Sequence, residues 1–267
     1  MNKKFKQQLL IGYKSYYKAI IFIFKNNLFW YFAIPFVLNI IFLFGGLGAT
    51  IKFIKITNQA FKSWINFDTK NFFGHEYLNE FFFVIIGVLI TVLFFIAFMY
   101  LSGHIIMIIF SPLLSFLSEK VDNIITGNDF HFEWKPFFSD ILRGIFISTR
   151  NMVIEIAVVI IMLIVSFIPI IGWFTPVVLF LVSSYFYGFS FIDYTNERKG
   201  LSVSESVKYV RKNKGIAYSN GSVFSLFLLV PFCGASIAAF VSVISTVAAT
   251  LAVIEVDKNE ELIINNQ

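Results

Sequence analysis

The chain has 267 residues, of which 58% are hydrophobic and 14% charged, with 36 phenylalanines and a net charge of +5. A water-soluble domain of this length carries roughly 25% charged residues, so the composition excludes one and points to an integral membrane protein of all-α class. Cys233 is the only cysteine, which excludes an intrachain disulfide and a cysteine metal cluster.

The first 27 residues carry Lys3, Lys4 and Lys6, as a secretory signal would. The apolar run that should follow is broken by Lys14, Lys18 and Lys25, and no small-residue cleavage site appears, so the N-terminus is expected to be retained. Phe5, Leu9, Gly12, Tyr13, Tyr16, Ile20, Ile23 and Phe24 recur at helical spacing, with Lys3, Lys14, Lys18 and Lys25 on the other side. This pattern predicts an amphipathic helix over 1–27, lying in the membrane interface with lysines toward lipid phosphates, or else packed on protein.

Four runs free of Asp, Glu, Lys and Arg follow: Leu28–Ile51, Phe81–Phe110, Ile156–Ile192 and Ile216–Ile254. Each exceeds the ~20 residues needed to cross a ~30 Å hydrocarbon core. The first is read as a transmembrane helix ending in the GGLG turn at Gly45 to Gly48. The second, at ~45 Å, must tilt or project, and Ser111-Pro112 is expected to kink or stop it.

The last two runs are each interrupted by Pro-x-x-Gly, at Pro169 to Gly172 and at Pro231 to Gly234. An interior Pro removes a backbone hydrogen bond, and Gly supplies the turn. The arms Ile156–Ile168 and Val177–Ile192 are ~20 and ~24 Å long and fall short of the hydrocarbon thickness, whereas Ala235–Ile254 reaches ~30 Å. Two half-penetrating helical hairpins are therefore expected, with turns at Pro169, Gly172, Pro231 and Gly234. Such tips need protein or water cover. Ala235, Ala238, Ala239, Ser242, Ser245, Ala248, Ala249 and Ala252 form a small-residue stripe that permits close helix packing.

Between the hairpins, Ser202 and Glu205 form a candidate capping box that opens a basic helix running to about Lys214. Its lysines and arginines are read as a solvated or lipid-facing surface, with no motif for nucleic acid beside them. Residues 255–267 form an acidic tail. Lys plus Arg total six before the first run, four over 52–80, four over 111–155, six over 193–215 and one in the tail. The positive-inside rule then places both termini and residues 193–215 in the cytoplasm of a multi-pass inner-membrane protein.

Catalytic chemistry finds no footing. His75-Glu76-Tyr77-Leu78-Asn79 lacks the second imidazole of a zinc-protease motif. Ser102 and His104 point in different directions on one helix and cannot act as nucleophile and base. His104 is either a hydrogen-bonded packing residue or a proton or anion contact facing a polar cavity. Arg150, Glu155, Asp193 and Glu255 lie at the hairpin boundaries, as interfacial anchors or as a charged vestibule. No enzyme activity, cofactor or metal site is expected.

Four stretches carry a resemblance: LFWYFAIPFVLN (28–39), FSPLLSFLSEKVDNIITG (110–127), GFSFIDYTNERKGLSVSESV (188–207) and KNKGIAYSNGSVFSLFLLVPFCG (212–234). In this order and spacing, the chain resembles the CysZ-like family of bacterial membrane proteins, related to the eukaryotic etoposide-induced proteins. The resemblance runs from about Gly12 to Glu255, making 1–267 a single domain. It implies half-penetrating hairpins, a homo-oligomer, and a permease for sulfate or a related small inorganic anion. The family's anion-binding Gly-Leu-Arg-Arg-like stretch precedes Ile-Pro-x-x-x-Asn. Ile34, Pro35 and Asn39 match the second part, while Asn27, Leu28, Phe29 and Trp30 stand where the first would be. Aromatic rings cannot replace the bidentate arginine forks. Lys25, Asn26, Asn27, Asn39 and Arg150 are then the candidate anion contacts, the first three beside a helix start where backbone amides favour anions. The alternative is a non-transporting scaffold whose basic helices hold anionic membrane lipids or a partner protein.

Overall fold

A computed structural model describes residues 3–41, 75–127, 134–168, 170–230 and 233–265. These divide into two compact units, one formed by the N-terminal stretch to Phe32 with the chain from Leu101 onward, the other by Ala33–Tyr100. Among the described residues the secondary structure is entirely helical. In the first unit, α1 (Lys3–Lys25) leads through a 3-10 turn at Leu28–Phe32. The second unit contains a helical stretch over 33–41, α2, and the first half of α3 (His75–Thr126), whose remainder from 101 onward belongs to the first unit. Then come α4 (Trp134–Ser166), a 3-10 turn at Ile171–Phe174, α5 (Thr175–Arg198), α6 (Val203–Lys212), α7 (Lys214–Leu228) and α8 (Gly234–Asn265).

Of the kink or stop expected at Ser111-Pro112, the stop does not occur, for α3 continues through Pro112 to Thr126. Proline leaves one carbonyl of the preceding turn without its donor, a loss that close packing tolerates. Leu114, Leu117 and Val121 beyond it are fully buried, so tertiary contacts carry the helix past the break.

Both hairpins are present, and three of their four arms outrun the uncharged runs, while α7, with 15 residues, does not. α4 and α5 pack on each other around the 3-10 turn. Residues 141–166 and 171–198 are each long and apolar enough to cross a membrane, as are 102–126 and 234–262. The short arms expected from 156–168 and 177–192 are thus corrected, because polar residues inside the helices are buried against each other and do not end them. Gly172 and Gly234 stand where the turns need them. A β-carbon on Gly172 would lie 2.3 Å from the Ser166 carbonyl oxygen, and one on Gly234 would lie 2.4 Å from that of Leu228. Pro169 and Pro231, the GGLG turn and most of the 52–80 loop lie outside the described residues.

The helices of the first unit approach closely wherever glycine or a small residue allows. Ala238, Ala239, Ser242, Ser245, Ala248, Ala249 and Ala252 of the predicted stripe are buried. α7 runs along α5 with Gly188 against the Ala217 carbonyl and Gly221 against that of Ser184. α1 lies along α8, with Ala19 and Ile23 in one cluster with Val243, Val247 and Ala248. Its lysines do not all face lipid, since Lys4 pairs with Glu260 at 2.9 Å and Lys18 with Glu255 at 2.5 Å. Leu10, Tyr13, Tyr17, Ile20, Ile21 and Phe24 form the apolar face left exposed. The acidic tail is the continuation of α8, which runs to Asn265.

The capping box is formed as predicted: the Ser202 hydroxyl accepts from the Glu205 amide and the Glu205 carboxylate accepts from the Ser202 amide. The helix it opens ends at Lys212, two residues short of the expectation, because Asn213 turns the chain into α7. Gln8 of α1 secures that break, donating to Asn213 Oδ1 at 2.7 Å and accepting from the Gly215 amide at 3.3 Å.

Candidate functional site

Polar side chains inside α3, α4 and α5 meet along one seam. Arg143, Asn151 and Glu155 recur at helical spacing and present one face of α4 to α5. Nearest the hairpin tip, Glu155 Oε2 lies 2.8 Å from His104 Nε2 of α3, and Ser183 donates to Glu155 Oε1. All three residues are buried. The Tyr187 ring stacks 4.9 Å from the imidazole, which Gly103 permits by leaving room for the Tyr187 hydroxyl. His104 Nδ1 has no hydrogen-bond partner among the described residues.

One tier further on, Asn151 donates to Ser190 Oγ at 3.0 Å. Beyond it, Arg143 grips Asp193 through two bonds of 3.0 and 3.2 Å, donates to the Leu201 carbonyl, and lies 3.6 Å from Glu197. Ser206 of α6 also donates to Asp193. From Arg143 to Glu155 the seam rises ~18 Å along α4. Buried ionisable groups among apolar helices are costly unless paired, and pairing is what each tier supplies. Glu155 and Asp193, read from sequence as boundary charges, are interior residues of membrane-length helices. The spacing of Arg143, Asn151 and Glu155 on one helix face was the signal for this seam.

The candidate anion contacts are dispersed. Lys25, Asn26 and Asn27 sit together where α1 ends. Asn27 has a positive φ of 55°, the left-handed conformation that terminates helices and that Asn tolerates. Asn26 donates its side-chain amide to the Phe22 carbonyl at 2.9 Å, so this amide serves the end of α1 rather than the start of the next helix. Lys25 is exposed. Asn39, in the other unit, donates back to the Pro35 carbonyl at 2.9 Å. Arg150 is half-buried on α4, donates to Asn151 Oδ1 at 3.1 Å and lies over the Phe189 ring at 5.8 Å. No described bond joins it to Lys25, Asn26 or Asn27.

The sequence that builds these elements has relatives elsewhere. The sequence matches the model of the Sulfate transporter CysZ/Etoposide-induced protein 2.4 family over residues 15–237. This chain belongs to that family. Among proteins named sulfate transporter CysZ, that of Pseudomonas fluorescens SBW25 is 28% identical over 126 residues, 46% of this chain and 49% of the relative. That of Pseudomonas aeruginosa LESB58 is 26% identical over 126 residues, 46% and 51% of the two chains. A third, from Pseudomonas fluorescens Pf0-1, is 25% identical over 203 residues, 74% and 76%. The chain thus spans about half the length of the first two relatives and three quarters of the third. Within this CysZ/etoposide-induced family, the match takes in α4, α5, both hairpin turns and all three tiers of the seam.

Proposed function

We propose that the protein moves sulfate or a related small oxyanion across the membrane, without catalysing a covalent reaction. The observation that carries this reading is the family match over residues 15–237, together with relatives named as sulfate transporters. The polar seam supports it, because a buried ion pair and hydrogen-bonded Asn and Ser residues inside apolar helices are the usual mark of a solute path. Lys25, Asn26, Asn27, Asn39 and Arg150 remain the proposed anion contacts. The setting we propose is the inner membrane, with cytoplasmic termini, bound membrane lipid and a homo-oligomeric assembly whose further copies cover the exposed apolar face of α4. Radiolabelled sulfate uptake into proteoliposomes tests the reading. Uptake above that of empty vesicles is expected. Uptake at the empty-vesicle level for sulfate and for phosphate would leave the scaffold alternative in its place.

A further inference from the structure

α6 has ten residues and buries two of them, Ser206 and Val210. A helix this short is marginal by itself, so its contacts decide where it sits. Breaks bound it on both sides. Gly200 has a positive φ of 71° and open space where a β-carbon would go, and Asn213, pinned by Gln8, turns the chain into α7. The inner face of α6 lies on the Arg143 tier of the seam. Ser206 donates to Asp193 and accepts from Asn196 at 2.9 Å, and Arg143 donates to the Leu201 carbonyl in the turn before α6. Asp193 beneath them is buried. The ties from α6 and that turn to the end of α8 are polar. Tyr209 donates to Asp257 at 2.7 Å, Lys199 pairs with the same carboxylate and lies over the Tyr209 ring at 5.2 Å, and Lys212 pairs with Glu260 at 2.6 Å.

We propose that α6 is a lid on the end of the polar seam away from the hairpin tip, pivoting at Asn213, yielding at Gly200 and latched by Asp257 and Glu260 of α8. The Lys212 and Glu260 side chains are 58% and 26% exposed, and those of Lys199 and Asp257 are 31% and 30% exposed. Ion pairs this open to solvent each contribute little and weaken as salt screens them. One buried valine and the Ser206 contacts are the rest of the lid's hold on the seam, so ionic strength sets how often Arg143 and Asp193 meet solvent. What the lid does for solute passage rests on the transport reading, whereas its opening does not.

Full-length protein carrying Val210→Cys and Cys233→Ser reports opening through the rate at which a water-soluble maleimide labels the buried position, referred to glutathione at the same salt. Raising KCl from about 0.01 M to about 1 M shortens the screening length from ~30 Å to ~3 Å and is expected to speed labelling at least ~3-fold. Asp257→Asn combined with Glu260→Gln should give the fast rate already at low salt and flatten the dependence. Lys208→Gln, a charge change on α6 outside the latch, should leave the rate as it was. Amide exchange in the unmodified chain reads the same motion even if Val210→Cys does not fold: α6 should exchange faster at high salt, and α7 should not. Labelling indifferent to salt and to the latch variant, labelling speeded equally by Lys208→Gln, or α6 amides no faster at high salt overturns the lid. A lid that opens in this way in a protein that passes no sulfate would remove the transport reading alone.

Discussion

Truncating Glu155 would strip His104 and Ser183 of their shared partner in a place that water does not reach. Glu155→Ala is expected to cost about 3 kcal/mol, the penalty of leaving a buried polar partner unpaired. Glu155→Gln keeps an acceptor for Ser183 and a polar group for His104, and it should cost less than half as much. Thermal unfolding in detergent orders the two variants, and equal melting temperatures would show that the carboxylate is not a structural partner. A cycle with His104→Ala then isolates the coupling between the pair. How far this site was legible from sequence follows from the same residues. His104 was recognisable as a costly intramembrane ionisable group, since that needs only its position in an apolar run. Glu155 looked like a boundary charge because hydropathy sees where charges stop, while the helix that holds it began twenty-one residues earlier, at Trp134.

At the scale of elements, helix contacts in the first unit are set by backbone proximity, so glycines with backbone on the far side should be the least replaceable. A β-carbon at position 221 would sit 1.8 Å from the Ser184 carbonyl oxygen, and one at 188 would sit 1.9 Å from that of Ala217. Gly221→Ala and Gly188→Ala must therefore push α5 and α7 apart, at about 3 kcal/mol each. Gly12→Ala faces the Ser219 side chain, whose hydroxyl can turn aside, so it should cost less. Melting temperatures of the three variants check the ranking, and a Gly12→Ala variant worse than Gly221→Ala would contradict it. The capping box of α6 makes a second prediction at this scale. Its two hydrogen bonds from Ser202, the side chain first and then the backbone, hold the Glu205 carboxyl below the usual carboxylate range. A carboxyl depressed in the folded state stabilises above its ordinary range, and that contribution is lost as pH falls through the lowered value. Amide exchange in α6 should quicken as the buffer is acidified, and Ser202→Ala, at a cost of ~1 kcal/mol, should flatten that dependence. The capping box and the small-residue stripe on α8 could be read in advance because each is a local pattern. The passage of α3 through Pro112 could not, since it depends on neighbours that bury Leu114 and Leu117.

For the molecule as a whole, the charges of the first unit and its hairpin tips set its placement in the bilayer. Glu255, Asp257 and Glu260 of α8 pair with Lys18, Lys199, and Lys4 and Lys212, and the Arg143–Asp193 tier sits at the same end of α5 as Lys199. The opposite ends of α5 and α8 are their first residues, at the two tips. From Thr175 to Asp193, α5 rises ~27 Å, nearly the thickness of the hydrocarbon core. Length alone thus lets the tips reach the far interface, while their chemistry argues that they stop inside it. Phe167 is 87% and Trp173 86% exposed, with Ile168, Ile170, Ile171 and Phe174 beside them, and at the second tip Leu226, Phe227, Leu229 and Val230 are exposed. No charged side chain stands among these residues to anchor a tip in the headgroups, and their Ile, Leu, Val and Phe side chains lead us to expect hydrocarbon around them. Trp173 fluorescence is therefore expected to be quenched most strongly by lipids brominated near mid-chain, with the remaining tryptophans replaced by Phe. The exposed thiol of Cys233, at the second tip, should resist a membrane-impermeant maleimide added outside intact cells. Rapid labelling there, with quenching of Trp173 strongest by headgroup-level bromine, would mean that the hairpins cross the bilayer completely.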